Sequence, residues 1–389
     1  MNPLPFRKGE PERDLIMRIA VNAADLDHPR IDGTRIYIQN LLKNFGLQNR
    51  EDRFLIYHKS KFNSQLTFPK FENYEVIKKP FPFWWTQTRF AWEMWREKPD
   101  ILFMPMHSLP FLRSKKTKTV VTIHDLAFKF FPDHFPKKEL RRLNFFTDYA
   151  AANSDKIIAI SNSTKKDLLK IYPKINAEKV KVIYHGYDKD LFHENISDDQ
   201  IKKINSKFIH HGGQNSKFIL FVGTIQPRKN IETLLEAFKI LRRKEAHKNL
   251  NLVIAGSEGW LAGSIVEKIR KTPGAVMTGK FETKDLPALI AGAEVFVLPS
   301  LYEGFGLPVL EAMACGTSVA VADNSSLGEI AGNAGILFDA CSSEKIADVL
   351  LEIIENEKLR NALREKGLER VKNFSWEKCA KETLEWTKT

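Results

Sequence analysis

The chain has 389 residues, 43% of them hydrophobic and 28% charged, which is room for two domains of ordinary size with full cores. No stretch approaches the ~18–20 uncharged apolar residues of a membrane span, so a helical integral membrane protein is excluded. The net charge of +12 is uneven: residues 1–190 carry 34 Lys and Arg against 22 Asp and Glu, while residues 191–389 carry 26 of each.

A basic half-molecule suggests an anionic partner, whether nucleic acid, an anionic membrane surface or a phosphorylated substrate, the alternative being a generic solubilising surface. No nucleic-acid motif accompanies it. The opening MNPLPFRKGEPERDL is charged throughout, and secretion is not expected of it. Cys315, Cys341 and Cys379 lie far apart without metal-ligand spacing and read as free thiols of a reducing cytoplasm.

In chain order, short apolar runs predict strands at 17–23, 54–59, 101–107, 119–125, 156–161 and 180–186. After a polar stretch, 187–217, they resume at 218–223, 251–256, 275–280, 295–300, 318–323 and 335–339. Continuous apolar runs suit strands covered on both faces, hence parallel sheets flanked by helices. Two such sets predict two doubly wound α/β domains. The N-terminal one would span 1–190; linker and second domain would span 191–374. The linker holds the tandem His210-His211 as surface residues and has room for one short helix. Helical patterns close the chain near 342–356, 358–372 and 375–387, the last capped by Ser375.

Several stretches carry chemistry. DLD at 25–27 is an acidic triplet that follows the first strand, and chance suffices to explain it. FPFWWTQTRFAWEMW (81–95) gathers Trp84, Trp85, Trp92 and Trp95, which could fill the core or rest on a membrane interface. In TVVTIHDLAF, His124 ends a strand, where it could meet a substrate hydroxyl or be a satisfied loop histidine. GTIQPRKN (223–230) follows a strand and precedes a helix that Asn230 could cap. Helix N-terminal amides with Arg228 and Lys229 suit a phosphate or pyrophosphate.

SLYEGFGLPVLEAMACG (300–316) places Glu303 on a glycine turn and Glu311 early in the following helix. Pro308 fits the first helical turn, and Gly316 ends the helix. Gly304 and Gly306 would let a ligand approach the backbone. Paired carboxylates raise the possibility of a glycoside hydrolase, but the phosphate-suited loop argues against it.

The succession G-T-x-x-P-R-K-N, a strand ending in A-G, T-G-K-F, and P-S-x-Y-E-G-F-G-L-P-V-L-E-A-M-A-C-G resembles retaining glycosyltransferases of the GT-B fold. These are the Glu–seven residues–Glu type, or group 1, and among them the sequence is similar to bacterial mannosyltransferases. The resemblance implies two facing Rossmann-like domains, an interdomain cleft and a C-terminal helix (375–389) returning to the N-terminal domain. It implies a nucleotide diphosphate sugar donor, with GDP-mannose as the guess, and neither metal nor cofactor.

By the same resemblance, Glu303 would bind the donor sugar's hydroxyls and Glu311 the ribose. Phe305, Gly306 and Leu307, beside Gly304, would offer backbone N–H groups. Arg228 and Lys229 would hold the pyrophosphate, near Gly223, Thr224 and Gly256. Gly279, Lys280 and Phe281 would line the base pocket. His124 would face the sugar, and Gly33 would border the diphosphate and the acceptor.

The departures are a single glycine in IDGTRIYI, His185 in IYHGYD, and Ser318 and Gly328 where proline is common. The first touches the acceptor end of the site; the others read as packing variations. The acceptor would be a glycan or a lipid-diphosphate-linked sugar in bacterial surface polysaccharide assembly. The enzyme would be cytoplasmic, with peripheral contact to the inner membrane through its basic half. A nucleotide-sugar epimerase of the same fold and a non-catalytic membrane-associated partner are the alternatives.

Overall fold

Residues 16–29, 31–64, 66, 68–208, 217–279 and 281–389 are described by the structure, a computed structural model. Lys280 and the His210-His211 pair lie outside the described residues.

One parallel sheet contains β1 (Arg18–Asn22), β2 (Arg53–His58), β3 (Tyr74–Lys78), β4 (Ile101–Met104), β5 (Lys118–Ile123), β6 (Lys156–Ala159) and β7 (Val180–Val182), ordered β3-β2-β1-β4-β5-β6-β7. A second holds β8 (Phe218–Val222), β9 (Asn251–Ala255), β10 (Ala275–Gly279), β11 (Val295–Leu298), β12 (Val319–Ala322) and β13 (Gly335–Phe338), ordered β10-β9-β8-β11-β12-β13.

The apolar runs form these strands because both faces are covered. In β1, Ile19 and Val21 join one core cluster while Ala20, between Leu55 and Leu102 in register, joins the other. The expected strands all form, and β3 is an addition the periodicity did not predict. Its YEVIK sits at a sheet edge with Glu75 and Val76 exposed, so it lacks the apolar run of a central strand.

The polar connection contains the helix Asp198–Phe208. At the end of the chain come Ser343–Glu355, Glu357–Val371 and Trp376–Lys388. The Ser375 side chain accepts from the Lys378 N–H, as a serine cap should. The last helix returns to the first domain, burying Trp376, Cys379, Ala380 and Leu384 in the cluster that contains Tyr37, Leu41 and Phe45. Its start passes close to the hinge: a Cβ on Gly186 would lie 2.1 Å from the Trp376 nitrogen.

The tryptophan-rich stretch divides. Trp85 is buried, stacked on Phe90 at 5.0 Å, while Trp84, Trp92 and Trp95 are exposed. A core role therefore holds for one of the four.

Glu329, in the short helix Leu327–Ala331, ties the second domain to the first. Its carboxylate accepts from the Asn162 and Ser163 backbone N–H groups (2.8 and 3.1 Å) at the start of the Asn162–Ile171 helix, and from the Tyr184 hydroxyl (2.6 Å). An anion at a helix N-terminus is favourable, and charge-assisted bonds strengthen it. Replacing Glu329 with Ala removes this anchor at a cost of ~1–2 kcal/mol. Small-angle scattering should then report a larger radius of gyration, and the thermal midpoint should fall by a few degrees (~2–4 °C). An unchanged radius and midpoint would argue against the tie.

Candidate active site between the two sheets

In a doubly wound sheet, the crevice for a ligand opens beyond the carboxyl ends of the strands where the order reverses. In the second sheet that point lies between β8 and β11. Their following loops are 223–230 and 299–306, so topology brings together two stretches far apart in sequence. The Leu301 N–H donates to the Arg228 carbonyl (2.9 Å), and Arg228 Nη1 donates to the Tyr302 carbonyl (2.6 Å).

Arg228 and Lys229 lie in the 3-10 turn Pro227–Lys229, ahead of the helix Ile231–Arg242. Asn230 stands between them with φ 56°, a left-handed conformation that asparagine tolerates. It does not cap the helix with its side chain, contrary to expectation. Its Nδ2 instead donates to the Pro299 and Ala340 carbonyls (3.0 and 2.7 Å), and its Oδ1 accepts from the Thr233 hydroxyl. Those bonds pin the phosphate-suited turn to the 299–306 loop.

Both cations converge on Glu303. Arg228 Nη1 reaches Glu303 Oε2 at 3.1 Å, Lys229 Nζ bonds Oε1, and the Ser300 hydroxyl donates to Oε1 at 2.6 Å. Sequence separation gave no sign of this ion-paired cluster. Burial alone would raise the Glu303 carboxyl, but the Lys229 ammonium and the Arg228 guanidinium outweigh it and hold it down at about 2. Desolvation lowers Lys229 despite Glu303, while Glu303 holds Arg228 above its ordinary value against its own burial. A carboxylate offers about four acceptor sites, and three are filled here. The remaining one on Oε2 can take a hydroxyl. Arg228 Nε is buried without a partner, an unfilled donor beside the same carboxylate.

The turn is held by two serines from the loop after β12, which no motif marks. The Glu303 N–H donates to Ser325 Oγ (3.0 Å), and the Ser326 hydroxyl bonds the Glu303 and Phe305 carbonyls (2.9 Å each). Gly306 has φ 102°, open to glycine with little strain, and the helix Leu307–Ala314 begins directly after it. In its first turn the Val309 N–H already donates to the Gly306 carbonyl (2.9 Å), and Pro308 has no N–H to offer. Pro308 occupies the first turn, and Gly316 (φ 75°) follows the helix end as expected.

At Gly304 and Gly306, the two glycines expected to admit a ligand, and at Gly256, the Cβ direction meets protein. A Cβ on Gly304 would lie 1.9 Å from the His124 carbonyl oxygen, one on Gly306 2.8 Å from Leu327 Cδ2, and one on Gly256 2.0 Å from the Gly223 carbonyl oxygen. The space beside each is already filled by the fold. At Gly279 (φ 63°), ending β10, nothing lies within 4 Å of a Cβ position, so that edge is open. Phe281 packs partly against the second core, and Thr224 packs against Gly259.

Glu311 is partly buried on the Leu307–Ala314 helix. Burial, with the Asp188 charge added, pushes its carboxyl up to about 7. Asp188, the last residue of IYHGYD, has no role legible in the sequence because nothing local marks it.

The first domain supplies the opposite wall. Gly33 opens the helix Gly33–Gln48 and lies close to Leu307 of the second domain, 3.5 Å from a Cβ position to Leu307 Cδ1. Asp32 caps that helix and pairs with Arg35. In the DLD triplet, Asp27 accepts from the Lys59 and Ser60 N–H groups (2.9 and 2.7 Å) and faces His58, while Asp25 faces Arg35.

His124 follows β5 with its Nε2 2.7 Å from the Pro105 carbonyl oxygen. A carbonyl can only accept, so Nε2 carries the proton. Burial lowers the ring's pKa, against the Pro105 bond. In the neutral ring Nδ1 is an acceptor for a hydroxyl. His185 is buried between Tyr37 (4.7 Å), Phe305 (4.9 Å) and Trp376 (5.3 Å), at the crossing of hinge, site loop and last helix. Ser318 donates to the Arg360 carbonyl (3.1 Å), and a Cβ at Gly328 would make ordinary contacts, as packing variations would.

Taken together, Glu303 with its two cations and the start of the Leu307–Ala314 helix meet at the second sheet's reversal point, with the His124 loop of the first domain packed against Gly304. That set can bind a phosphate and orient hydroxyl groups.

Residues 202–370 match the family model for glycosyl transferases group 1, and residues 53–191 match that for Glycosyltransferase Family 4. The chain is 29% identical over 301 residues to O-antigen chain mannosyltransferase B of Escherichia coli, covering 76% of each chain. It is 28% identical over 276 residues to the serotype-specific mannosyltransferase WbdA of Escherichia coli, covering 69% of this chain and 33% of that one. The fold superposes with a TM-score of 0.71 on Anabaena Alr3699/HepE, solved in complex with UDP and glucose, at 17% identity and over 95% of this chain and 98% of that one. Among the described residues, no helix is long and apolar enough to cross a membrane.

Proposed function

Because the chain belongs to the group 1 glycosyltransferases and has the GT-B fold, we propose that it transfers a hexosyl unit, mannose by preference, from a nucleotide diphosphate sugar with retention of configuration. The acceptor is a glycan or a lipid-diphosphate-linked sugar, as in bacterial surface polysaccharide assembly. The observation that carries this reading is the convergence of Arg228 and Lys229 on Glu303 at the sheet's reversal point. The mannosyl preference is supported by the two mannosyltransferase relatives.

Arg228 and Lys229 would hold the diphosphate and stabilise the charge that grows on it as the C1–oxygen bond breaks. The acceptor oxygen bonds to C1 on the same face, and its proton passes to the departing phosphate oxygen. Glu303 would orient sugar hydroxyls through its remaining acceptor site and act neither as nucleophile nor as base. His124, protonated on Nε2, would accept a sugar hydroxyl through Nδ1. Glu311 would receive the ribose hydroxyls, and the amides of Phe305, Gly306 and Leu307 would face the phosphate end. Gly33 borders the acceptor side, and the open edge at Gly279 and Phe281 suits a nucleobase.

The test of this reading is the anomeric configuration of the product formed from GDP-mannose, read by NMR. Retention is expected, and an inverted product would overturn the mechanism. Conversion of donor without any acceptor would mark an epimerase instead.

Glu311 gives the reading a pH signature. An ionised carboxylate accepts both ribose hydroxyls, and in the free protein Glu311 ionises only around pH 7. Donor affinity should therefore rise between about pH 6 and 8, with proton release on binding, by up to about tenfold. The folded acid holds its proton where the unfolded one has lost it, so its contribution to stability falls as pH rises from about 4.5 to 7. Glu311→Gln should flatten both dependences. Titration calorimetry and thermal melts across that range are the measurements, and identical pH profiles in the two proteins would remove Glu311 from this role.

A further inference from the structure

The first domain displays an apolar surface that the transfer reaction does not use. Phe83 and Trp84 are 73% and 72% exposed, Phe145 57%, Leu112 44% and Phe111 41%. They come from three segments but form one patch: Phe146 lies 6.4 Å from Trp84 and 6.2 Å from Phe111, and Phe111 lies 5.8 Å from Phe145.

The patch is rigidly built. Gln87 joins the first two segments, donating from Nε2 to the Leu109 carbonyl (3.0 Å) and accepting from the Phe111 N–H (2.9 Å). Arg113 joins the second to the helix Lys137–Asn153 through the Tyr149 hydroxyl (3.0 Å) and the Asn153 carbonyl (2.9 Å). The Thr88 hydroxyl holds the turn through the Phe83 and Trp84 carbonyls (3.0 Å each), and Trp84 itself has φ 45°. That conformation is strained for a bulky residue.

The charge around the patch is mostly positive. Residues 111–118 contain Arg113, Lys115, Lys116 and Lys118 and no carboxylate; residues 137–146 add Lys137, Lys138, Arg141 and Arg142 against Glu139 alone. Lys138 and Arg141 share the helix face of Phe145 by spacing, and both are exposed. Aromatic rings surrounded by cations match the headgroup layer of an anionic bilayer, where indole rings settle and basic side chains meet lipid phosphates.

We propose that this surface docks the protein on anionic membrane, with Phe83, Trp84 and Phe111 entering the interface and Lys115, Lys116, Lys138 and Arg141 meeting the headgroups. It gives a use to part of the basic excess of the first half. The Phe83–Trp84 turn follows β3 at the carboxyl edge of the sheet, while Lys115 and Lys116 lead into the amino end of β5, so the surface runs along the side of the first domain. The proposal deepens the functional reading and rests on it only for the acceptor.

The experiment is flotation of the full chain with phosphatidylcholine vesicles, with and without about a third phosphatidylglycerol, without donor or acceptor. Binding should require phosphatidylglycerol and weaken at least about tenfold in ~0.5 M salt. A triple variant, Phe83→Ser with Trp84→Ser and Phe111→Ser, should also lose at least about tenfold, and so should Lys115→Gln with Lys116→Gln and Arg141→Gln. Leu261→Ser, an exposed residue of the other domain, should bind like the parent. Circular dichroism melts of each variant check that the fold is kept. Absence of binding, or undiminished binding by the aromatic variant, would overturn the proposal. Self-association abolished by that variant without vesicle binding would overturn it too, assigning the patch to a second copy. Because no transfer is measured, this outcome is independent of whether the chain moves mannose.

Discussion

Lys229→Ala is expected to lower kcat by about 10²–10³, the loss seen when one preorganised donor to a developing charge is removed. Lys229 is desolvated, bonded to Glu303 and set on a turn that Asn230 fixes to the neighbouring loop. A cation held this way meets a leaving diphosphate without reorganising. Arg228→Ala should do similar harm, and it also strips the Tyr302 carbonyl and Glu303 of a partner. Because all three groups share one network, the double variant should lose less than the product of the two single losses. Steady-state kinetics with donor saturating, alongside a thermal melt, separates transfer from folding. Near-parental turnover in Lys229→Ala would remove the phosphate role from this turn.

Gly304→Ala is the second large effect, and it acts through domain closure. The added methyl would lie 1.9 Å from the His124 carbonyl oxygen and 2.9 Å from Asp125 Cβ, both in the other domain. Backbone cannot swing aside as a flexible side chain can, so the domains must part or the turn must shift. Overpacking of this kind costs ~1–3 kcal/mol, or roughly 5–150-fold in the population of the closed state. Turnover should fall accordingly, while an isolated nucleotide should bind the second domain with less change. Scattering should show a more open molecule. A fully active, equally compact variant would mean that the closed arrangement is not the working one.

These two effects mark where the sequence was legible and where it was not. Runs such as FILFVG and NLVIAG announce buried parallel strands because nothing polar interrupts them. YEVIK could not be read, since an edge strand carries charge on its exposed positions. The helix after Gly306 and the cap at Ser375 were legible because caps and breakers act locally. The pairing of Lys229 with Glu303 was not, since it depends on which strands are neighbours.

Glycines were the most misleading. Gly304 reads as room for a ligand, yet the room belongs to His124 of the other domain. Glu329 and Asp188 drew no notice, because a lone acid has no signature until the fold sets it against a helix end or another carboxylate.

The most direct measurement is calorimetric titration of the parent and Lys229→Ala proteins with GDP, and with UDP in parallel. A nucleoside diphosphate should bind the parent, and the variant should bind it at least about tenfold more weakly, as loss of a charge-assisted contact of ~1.5–3 kcal/mol requires. Equal affinity in the two proteins, or no binding of either nucleotide to the parent, would contradict it.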